Sequence, residues 1–483
     1  MSRQGEVLER ILREGDALLR EGRFIEGEER AQAVLAQYPR NAAGHYLLGL
    51  SALMQERHAE ALAHVERAIR LDRVNAQYHF MAGLCLAPLQ RVDEAVTSYR
   101  RALQFRPDFL EARANLAYLL ECAGRVDDAI AGYRSVLAQA PNEWFCLNRL
   151  GYCERVAGRA EAALETLGRA IALEPSSAPT HNELALALLQ LGRTADAIAS
   201  LRRATQAEPS FAEGWANLGK LLYVQHLEAA QAAAAADAAP PDPVPVIECF
   251  DKLLEFDPSS AEFRYLRDSL AGVRVERPPD AYIASFFDRF AHRFERRVVD
   301  ELHYAGPEAA ARVLATWLRD RTAPRVADLG CGTGLSGAIA RPHAASLVGI
   351  DLSAAMLEQA RARGLYDELA HEEIGEWLER QPPGSFDLLL ALDVFIYVGA
   401  LERIASAACK ALAPGGWLVF TIENNVAAAA DFALGLGGRY SHGVAYVAQS
   451  MARVGLREAS RETFDIRVEG GRPVAATVFA FER

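Results

Sequence analysis

The sequence predicts an α-solenoid of repeated helix pairs followed by an α/β doubly wound domain that ends in an antiparallel hairpin. Three observations carry this. Pro107, Pro141, Pro175 and Pro209 recur every 34 residues. Small residues recur at two fixed phases of the same period. From residue 276 onward, short apolar strands alternate with helices. The expected boundaries are 1–275 for the solenoid and 276–483 for the α/β domain.

In the first half, Pro39 lies two periods before Pro107, with Arg73 at the intervening mark. One small-residue phase holds Gly15, Gly49, Gly83, Ala117, Gly151, Ala185 and Gly219. The other holds Gly27, Ala61, Ala95, Ala129, Ala163 and Ala197. Such residues belong where two antiparallel helices cross closely, and proline closes the second helix of each unit because it cannot continue one. A 34-residue helix–turn–helix unit with these phases resembles the tetratricopeptide repeat, over roughly residues 8–270. The seventh unit carries 15 extra residues near 226–246, Ala-rich and then Pro-rich. They predict an overlong first helix and a stiff loop, either a flap toward the second domain or a tolerated surface insertion. The resemblance implies a concave groove, lined by first helices, that takes a protein or peptide partner. The positions expected there include Asn115, Tyr118, Asn148, Arg149, Tyr152, Asn182, Asn217 and Lys220. Their amides suit a peptide backbone and their cations a carboxylate.

In the second half, "RVADLG", "SLVGID", "ELAHEE", "FDLLLALDV" and "GGWLVFTIE" read as strands. Helices are expected from Leu335, over "SAAMLEQARARG", near 374–380 and near 399–411. Strands apolar on both faces argue a parallel sheet. "REASRETFDIRVE", "GGRP" and "VAATVFAFE" read as two strands joined by a tight turn.

Bulk properties narrow the partners. A net charge of −12 over 483 residues repels a phosphate backbone, so nucleic acid is not expected. Seven scattered cysteines, never spaced C-x-x-C, fit buried thiols in a reducing compartment rather than disulfides or a metal site. The first residues are charged throughout, and "LLLALDVFIYVGAL" is too short to span a bilayer. A cytoplasmic protein without membrane segments is expected.

The stretch "VADLGCGTGLSG" holds two overlapping glycine patterns. Gly332, Gly334 and Gly337 fit G-x-G-x-x-G, the dinucleotide fingerprint. Asp328, Gly330, Gly332 and Gly334 fit D-x-G-x-G-x-G. An acid at the first strand's end, ahead of the glycines, is unusual for a dinucleotide site. The second strand ends in Asp351, placed to take both ribose hydroxyls, which alone would suit NAD equally. Together, "VADLGCGTG", "GIDLSAAMLEQA", "FDLLLALDVF" and "LAPGGWLVF" resemble S-adenosylmethionine-dependent methyltransferases of the Rossmann-like class, over roughly residues 281–483. The resemblance implies S-adenosyl-L-methionine as cofactor. It implies Gly330, Gly332 and Gly334 under it, Asp328 toward the methionine amine, Asp351 on the ribose and Met356 over the adenine. Glu373, with Glu372 as a rival, falls where an acid reaches the adenine amine, and Leu392 and Asp393 lie beside the sulfonium. With the repeats, the chain resembles bacterial tetratricopeptide-containing methyltransferases, and its second half is similar to the Williams–Beuren-region methyltransferase-like proteins.

Phe287, Phe290 and Phe294 stand three and four apart within residues 281–304. They form either a core stripe or a lid over the cofactor. Residues 437–447, "GGRYSHGVAYV", read as a substrate-side loop carrying Tyr440, His442 and Tyr446. His442 has the pKa range of a general base, unless it is structural. Asp393 and Tyr397 are the other candidates for taking a proton. Three functions remain open: methylation of a protein or peptide recruited by the repeats, methylation of a small molecule by a domain that the repeats dock, and a non-catalytic repeat scaffold.

Overall fold

The computed structural model describes residues 3–236, 238–273, 275–295, 304–318, 323–424, 431–435, 438–469 and 472–483. The chain forms two compact units, Met1–Gly214 and Trp215–Arg483.

The first unit is helical. Its helices are α1 (Arg3–Arg20), α2 (Phe24–Gln37), α3 (Ala42–Met54), α4 (His58–Leu71), α5 (Ala76–Leu86), α6 (Val92–Phe105), α7 (Leu110–Cys122), α8 (Val126–Leu137), α9 (Trp144–Val156), α10 (Ala160–Leu173), α11 (Ala178–Gln190) and α12 (Thr194–Ala207). They pack as consecutive antiparallel pairs. The small-residue phases sit at the crossings. A Cβ on Gly83 would lie 2.4 Å from the Tyr99 ring, and one on Gly151 would lie 2.4 Å from Leu167. Ala95, Ala129 and Ala163 have no exposure at all. The turn inside each pair needs a left-handed residue at one recurring position. Gly22, Gly124, Gly158 and Gly192 occupy it with φ between 70° and 76°, while Glu56 (φ 58°) and Gln90 (φ 60°) adopt it against their Cβ.

The second unit begins within α13 (Ala212–Ala235), followed by α14 (Val244–Phe256), α15 (Ala261–Leu270), α16 (Asp280–Glu295) and α17 (Gly306–Trp317). Then come β1 (Arg325–Leu329), α18 (Leu335–Ala340), β2 (Ser346–Asp351), α19 (Ala354–Arg363), β3 (Glu368–His371), α20 (Ile374–Arg380), β4 (Phe386–Ala391), α21 (Glu402–Ala411), β5 (Leu412–Asn424), β6 (Phe432–Leu434), β7 (Tyr440–His442), α22 (Val444–Arg453), β8 (Arg457–Glu469) and β9 (Arg472–Glu482). By periodicity α13–α15 close the repeats, yet by packing they belong to the α/β unit. Tyr265 on α15 is buried, its ring tilted by 50° against Tyr282 on α16 at 5.3 Å, and it donates to the Gly438 carbonyl at 3.2 Å.

The parallel strands run in the order β3-β2-β1-β4-β5, and β9 pairs antiparallel with β5 and β8. β4 shows why both faces must be covered. Leu389 packs into one core with Phe395, Phe420 and Phe479, while Leu388 and Leu390 pack into the other with Leu314 and Trp317 of α17. The sequence-derived strands match β1, β2, β4, β5, β8 and β9, and "ELAHEE" contracts to β3. Gly470 and Gly471, the expected tight turn, lie outside the described residues, as do Asp237 of the insertion and residues 296–303 of the aromatic segment. The expected substrate loop at 437–447 instead forms β7 and α22, with Gly437 outside the described residues. β7 pairs in parallel with the end of β5 and antiparallel with β6.

Candidate cofactor and methyl-transfer site

The carboxyl ends of β1, β2 and β4 open into one cleft, as expected where a doubly wound sheet reverses its strand order. Gly330, Cys331, Gly332 and Thr333 form its floor. Gly330 (φ 68°) and Gly332 (φ 53°) are left-handed, and a Cβ on Gly330 would sit 2.5 Å from Val394. The Gly330 and Cys331 N–H groups donate to the Ile350 carbonyl at 2.7 and 2.9 Å, which ties the turn to β2. Thr333 Oγ1 is buried in this turn without a hydrogen-bond partner among the described residues. A buried hydroxyl in that state is a vacant donor and acceptor for a polar ligand.

Asp351 ends β2 and lines the cleft. Its Oδ2 accepts from Gly332 N–H and its Oδ1 from Ser353 N–H, both at 2.8 Å. The carboxylate is thus aimed before any ligand arrives. Burial pushes its pKa up, against these backbone donors. Met356 on α19 and Leu392 after β4 also line the cleft.

Asp328 departs from its expected place. It is wholly buried beneath the turn and is not part of the cleft wall. Ser336 Oγ donates to both its oxygens at 2.7–2.8 Å, and Tyr366 OH donates to Oδ2 at 2.6 Å. Ser336 does line the cleft, so Asp328 meets the cleft only through that hydroxyl. Gly334 is likewise off the wall. It caps α18 with φ 97°, and the side chains nearest its missing Cβ are Arg363 and Tyr366. Glu373 lines the cleft, but its oxygens already accept from Gly375 and Glu376 N–H at 2.9 and 2.8 Å, capping α20. Glu372, its rival, is paired with Arg380 and is not among the lining residues.

Burial holds the Asp328 carboxyl at a pKa of about 6, above its ordinary 3.8. The folded state then binds the proton more tightly than the unfolded chain. Stability from this group falls as pH rises from about 4 to about 6, and the full cost, about 3 kcal/mol, stands above pH 6. The Asp328→Asn variant is expected to lose that slope. Denaturant unfolding between pH 4.5 and 7 checks it, and an unchanged slope in the variant would assign the titration elsewhere.

The cleft wall also includes Asp393, Tyr397, Tyr304 and Phe294. Asp393 is left-handed (φ 58°), and its N–H donates to Thr421 Oγ1 at 2.8 Å. Arg467, 3 % exposed, pairs with Asp393 at 3.3 Å and also with Glu423. Burial raises the Tyr397 hydroxyl well above its ordinary pKa, so it stays protonated. Its ring meets Phe287 edge-on at 5.3 Å. Ile283, Phe287 and Phe294 place the apolar face of α16 over the cleft, whereas Phe290 stacks on its neighbours outside the lining.

His442 is corrected. It is completely buried in β7, away from the cleft, and its Nε2 faces the Val398 and Gly399 carbonyls at 2.9 and 3.1 Å. Desolvation drops its pKa to about 4. It stays neutral and holds the loop after β4 rather than meeting a substrate. Tyr440 and Tyr446 are buried beside it. Among the residues sequence reasoning missed are Arg277, Asp280, Tyr304, Ser336, Tyr366 and Arg467. Only Ser336, inside the glycine motif, carried a local signal.

In the helical unit, Tyr118 and Phe145 are exposed, with rings 6.1 Å apart. The Arg149 guanidinium lies 4.7 Å over Tyr152 and 5.6 Å over Tyr118, and pairs with the buried Glu121. Asn115 donates to the Glu111 carbonyl of its own helix at 2.8 Å. Two expected groove amides are corrected. Asn182 and Asn148 are buried, donating to Glu213 at 3.1 Å and to Thr180 at 2.7 Å, so they join helices rather than face a peptide. Asn217 and Lys220 fall in the second unit. Among the described residues, no helix is long and apolar enough to cross a membrane, and no cluster of ligating side chains could hold a metal ion.

Comparison with known proteins agrees with this geometry. Residues 327–418 match a family model described as a methyltransferase domain. Residues 12–76 and 55–108 match one tetratricopeptide repeat model, and residues 89–145 and 157–222 match another. Trans-aconitate 2-methyltransferase of Paracidovorax citrulli is 38% identical over 132 residues, 27% of this chain and 48% of that protein. Human methyltransferase-like protein 27 is 34% identical over 148 residues, 29% of this chain and 57% of that protein. A ubiquinone biosynthesis O-methyltransferase of Paracidovorax citrulli is 32% identical over 130 residues, 24% of this chain and 54% of that protein. The chain spans about half the length of these relatives. With the glycine turn, Asp351 and the closing β8–β9 pair in place, the chain carries tetratricopeptide repeats followed by an S-adenosylmethionine-dependent methyltransferase domain.

Proposed function

We propose that the protein is an S-adenosylmethionine-dependent methyltransferase whose acceptor is a protein or peptide recruited by the repeats. The observation that carries the reaction is the pre-aimed Asp351 carboxylate beside the left-handed glycine turn and the unpartnered Thr333 hydroxyl. The bound cofactor supplies an electrophilic methyl group. The chain's own residues hold, orient and dry the site. Asp351 binds the ribose, Gly330 and Gly332 admit close approach, and Phe287 and Ile283 exclude water. Positioning of this kind supplies most of the rate. A hydroxyl or ammonium acceptor must also lose a proton. Asp393, oriented by Arg467 and Thr421, accepts it. Tyr397, kept protonated, donates a hydrogen bond to the acceptor.

The repeats support a macromolecular acceptor through the exposed Tyr118 and Phe145 and the half-buried Tyr152, with the cationic Arg149. A second reading, a small acceptor with the repeats as a docking platform, is favoured by the apolar cover that α16 places over the cleft. Labelling a host extract with radioactive methyl donor and sizing the product separates the two. The double variant Tyr118→Ala with Phe145→Ala is expected to lower kcat/KM for a protein acceptor by about tenfold or more, since exposed aromatic anchors carry much of such binding. Cofactor affinity should not move. Full activity in that variant would favour the small acceptor.

A further inference from the structure

The second helices of the repeats, α4, α6, α8, α10 and α12, share one charged face. Arg67, Arg101, Arg169 and Arg203 stand at multiples of 34 residues, and Arg100, Arg134 and Arg202 do the same one position earlier. Residues of equal phase line up along a stack of repeats. These arginines are all exposed. Arg67, Arg100, Arg101, Arg202 and Arg203 make no ion pair or side-chain hydrogen bond among the described residues. The arginines that open the same helices are different. Arg57 pairs with Glu60, Arg91 with Glu94, Arg125 with Asp128 and Arg193 with Asp196, at 2.5–2.7 Å. Nor do helix dipoles account for the unpaired set, because α6, α10 and α12 have no basic residue in their last turns. Over residues 63–69, 97–103, 131–137, 165–171 and 199–205, the only carboxylates are Glu66 and Glu165. A chain of net charge −12 thus carries a basic strip on this face.

The strip is deepest between α8 and α10, in a cleft of about 350 Å³ floored by Leu150 and Glu154 of α9. Glu154 is 2 % exposed, at a phase that other units fill with Ala52, Leu86, Leu120 and Leu188. A buried carboxylate is costly unless it is paired. Thr166 Oγ1 donates to it at 2.8 Å and Arg134 at 2.6 Å. Across the cleft, Arg169 donates to the Pro141 carbonyl at 2.9 Å. Both guanidiniums are therefore held in place, and a guanidinium has five N–H donors to offer.

We infer that this strip docks an acidic, extended segment of a partner protein, with one of its carboxylates seated between Arg134 and Arg169. An arginine fork meets a carboxylate through two parallel hydrogen bonds. A bilayer would call for aromatic or long aliphatic side chains to insert, but Ala63, Thr97, Ala131 and Ala199 are the exposed residues one turn before the arginines. A nucleic-acid duplex would set a broad field of phosphates against an acidic chain, whereas a single acidic strand meets the strip alone. Tyr118 and Phe145 lie on the first helices α7 and α9, so a segment docked on the second helices leaves them open. Docking here needs neither cofactor nor methyl acceptor.

Fluorescence polarisation of a labelled poly-glutamate peptide with the full chain tests this. Binding is expected at low salt and should weaken as ionic strength rises. The quadruple variant Arg100→Ser, Arg101→Ser, Arg202→Ser and Arg203→Ser breaks no ion pair within the protein and should weaken the peptide by about tenfold or more. Glu165→Gln removes an acid from the cleft wall and should tighten binding by about two- to threefold. The control Arg380→Ser, Arg403→Ser, Arg457→Ser and Arg461→Ser removes the same charge from exposed arginines of the α/β unit and should leave binding nearly unchanged. An equal loss in both quadruple variants would mean that net charge alone matters, and overturns the docking strip. Weaker binding in Glu165→Gln overturns the seat in the cleft. A wild type that prefers phosphatidylglycerol vesicles to the peptide overturns the choice of a protein partner, and one that binds no peptide at low salt overturns the inference outright.

Discussion

Asp351→Ala is expected to weaken S-adenosylmethionine binding by about a hundredfold or more. Two ribose hydroxyls donating to an ionised carboxylate are worth about 1.5–3 kcal/mol each. The variant also releases Gly332 and Ser353 N–H, which Asp351 holds at 2.8 Å. Part of the loss therefore comes from a loosened glycine turn and a looser start to α19. The Asp351→Asn variant separates these contributions. Its amide oxygen can still accept a backbone N–H but carries no charge, so it should recover part of the affinity. The fold should survive, because the cores on both sheet faces are untouched. Calorimetry with unchanged affinity in Asp351→Ala would remove Asp351 from the site, and binding of NADH in its place would favour the dinucleotide alternative.

The second large effect concerns where the methyltransferase unit can be cut. A fragment of residues 212–483, starting with α13, is expected to unfold as one unit and to show a melting-temperature rise with S-adenosylhomocysteine by ligand linkage. Trimming to residues 276–483 discards Tyr265, whose ring packs on Tyr282 and whose hydroxyl meets Gly438, and also Val275, which accepts from Tyr440. Losing a buried aromatic contact and leaving polar groups unpaired costs about 3–5 kcal/mol, or a fall of about 10 °C in Tm. The shorter fragment keeps the glycine turn, Asp351 and both closing strands, so the ligand should still raise its Tm if it folds. Equal Tm values for the two fragments would show that α13–α15 do not support the site. The order of the effects follows from packing: the repeat pattern runs to about residue 270, but the compact unit begins at Trp215.

What the sequence determined by itself is whatever local sterics encode. The 34-residue period is visible because proline stops a helix and only Gly or Ala admits a close crossing, and both rules act on residues a few positions apart. The glycine turn and the ends of β1, β2 and β4 are visible for the same reason: their apolar runs and their motif are contiguous. The tertiary structure decided what depends on which distant segments meet. Tyr366 reaches Asp328 across 38 residues and converts an expected cofactor ligand into a buried support. Arg467 reaches Asp393 across 74 residues, after β8 has been placed at the edge of the sheet by β9. His442 reads as a base in the linear chain, but β7 packs it under the loop after β4, where desolvation keeps it neutral. Arg277 carries no motif in the linear chain, and only the seating of the Glu276 carbonyl on Gly399 brings its charge to the cleft. Local patterns set which elements form, whereas sheet register and helix docking set which charges become buried, paired or presented to a ligand. Burial and pairing control a group's protonation and its reach.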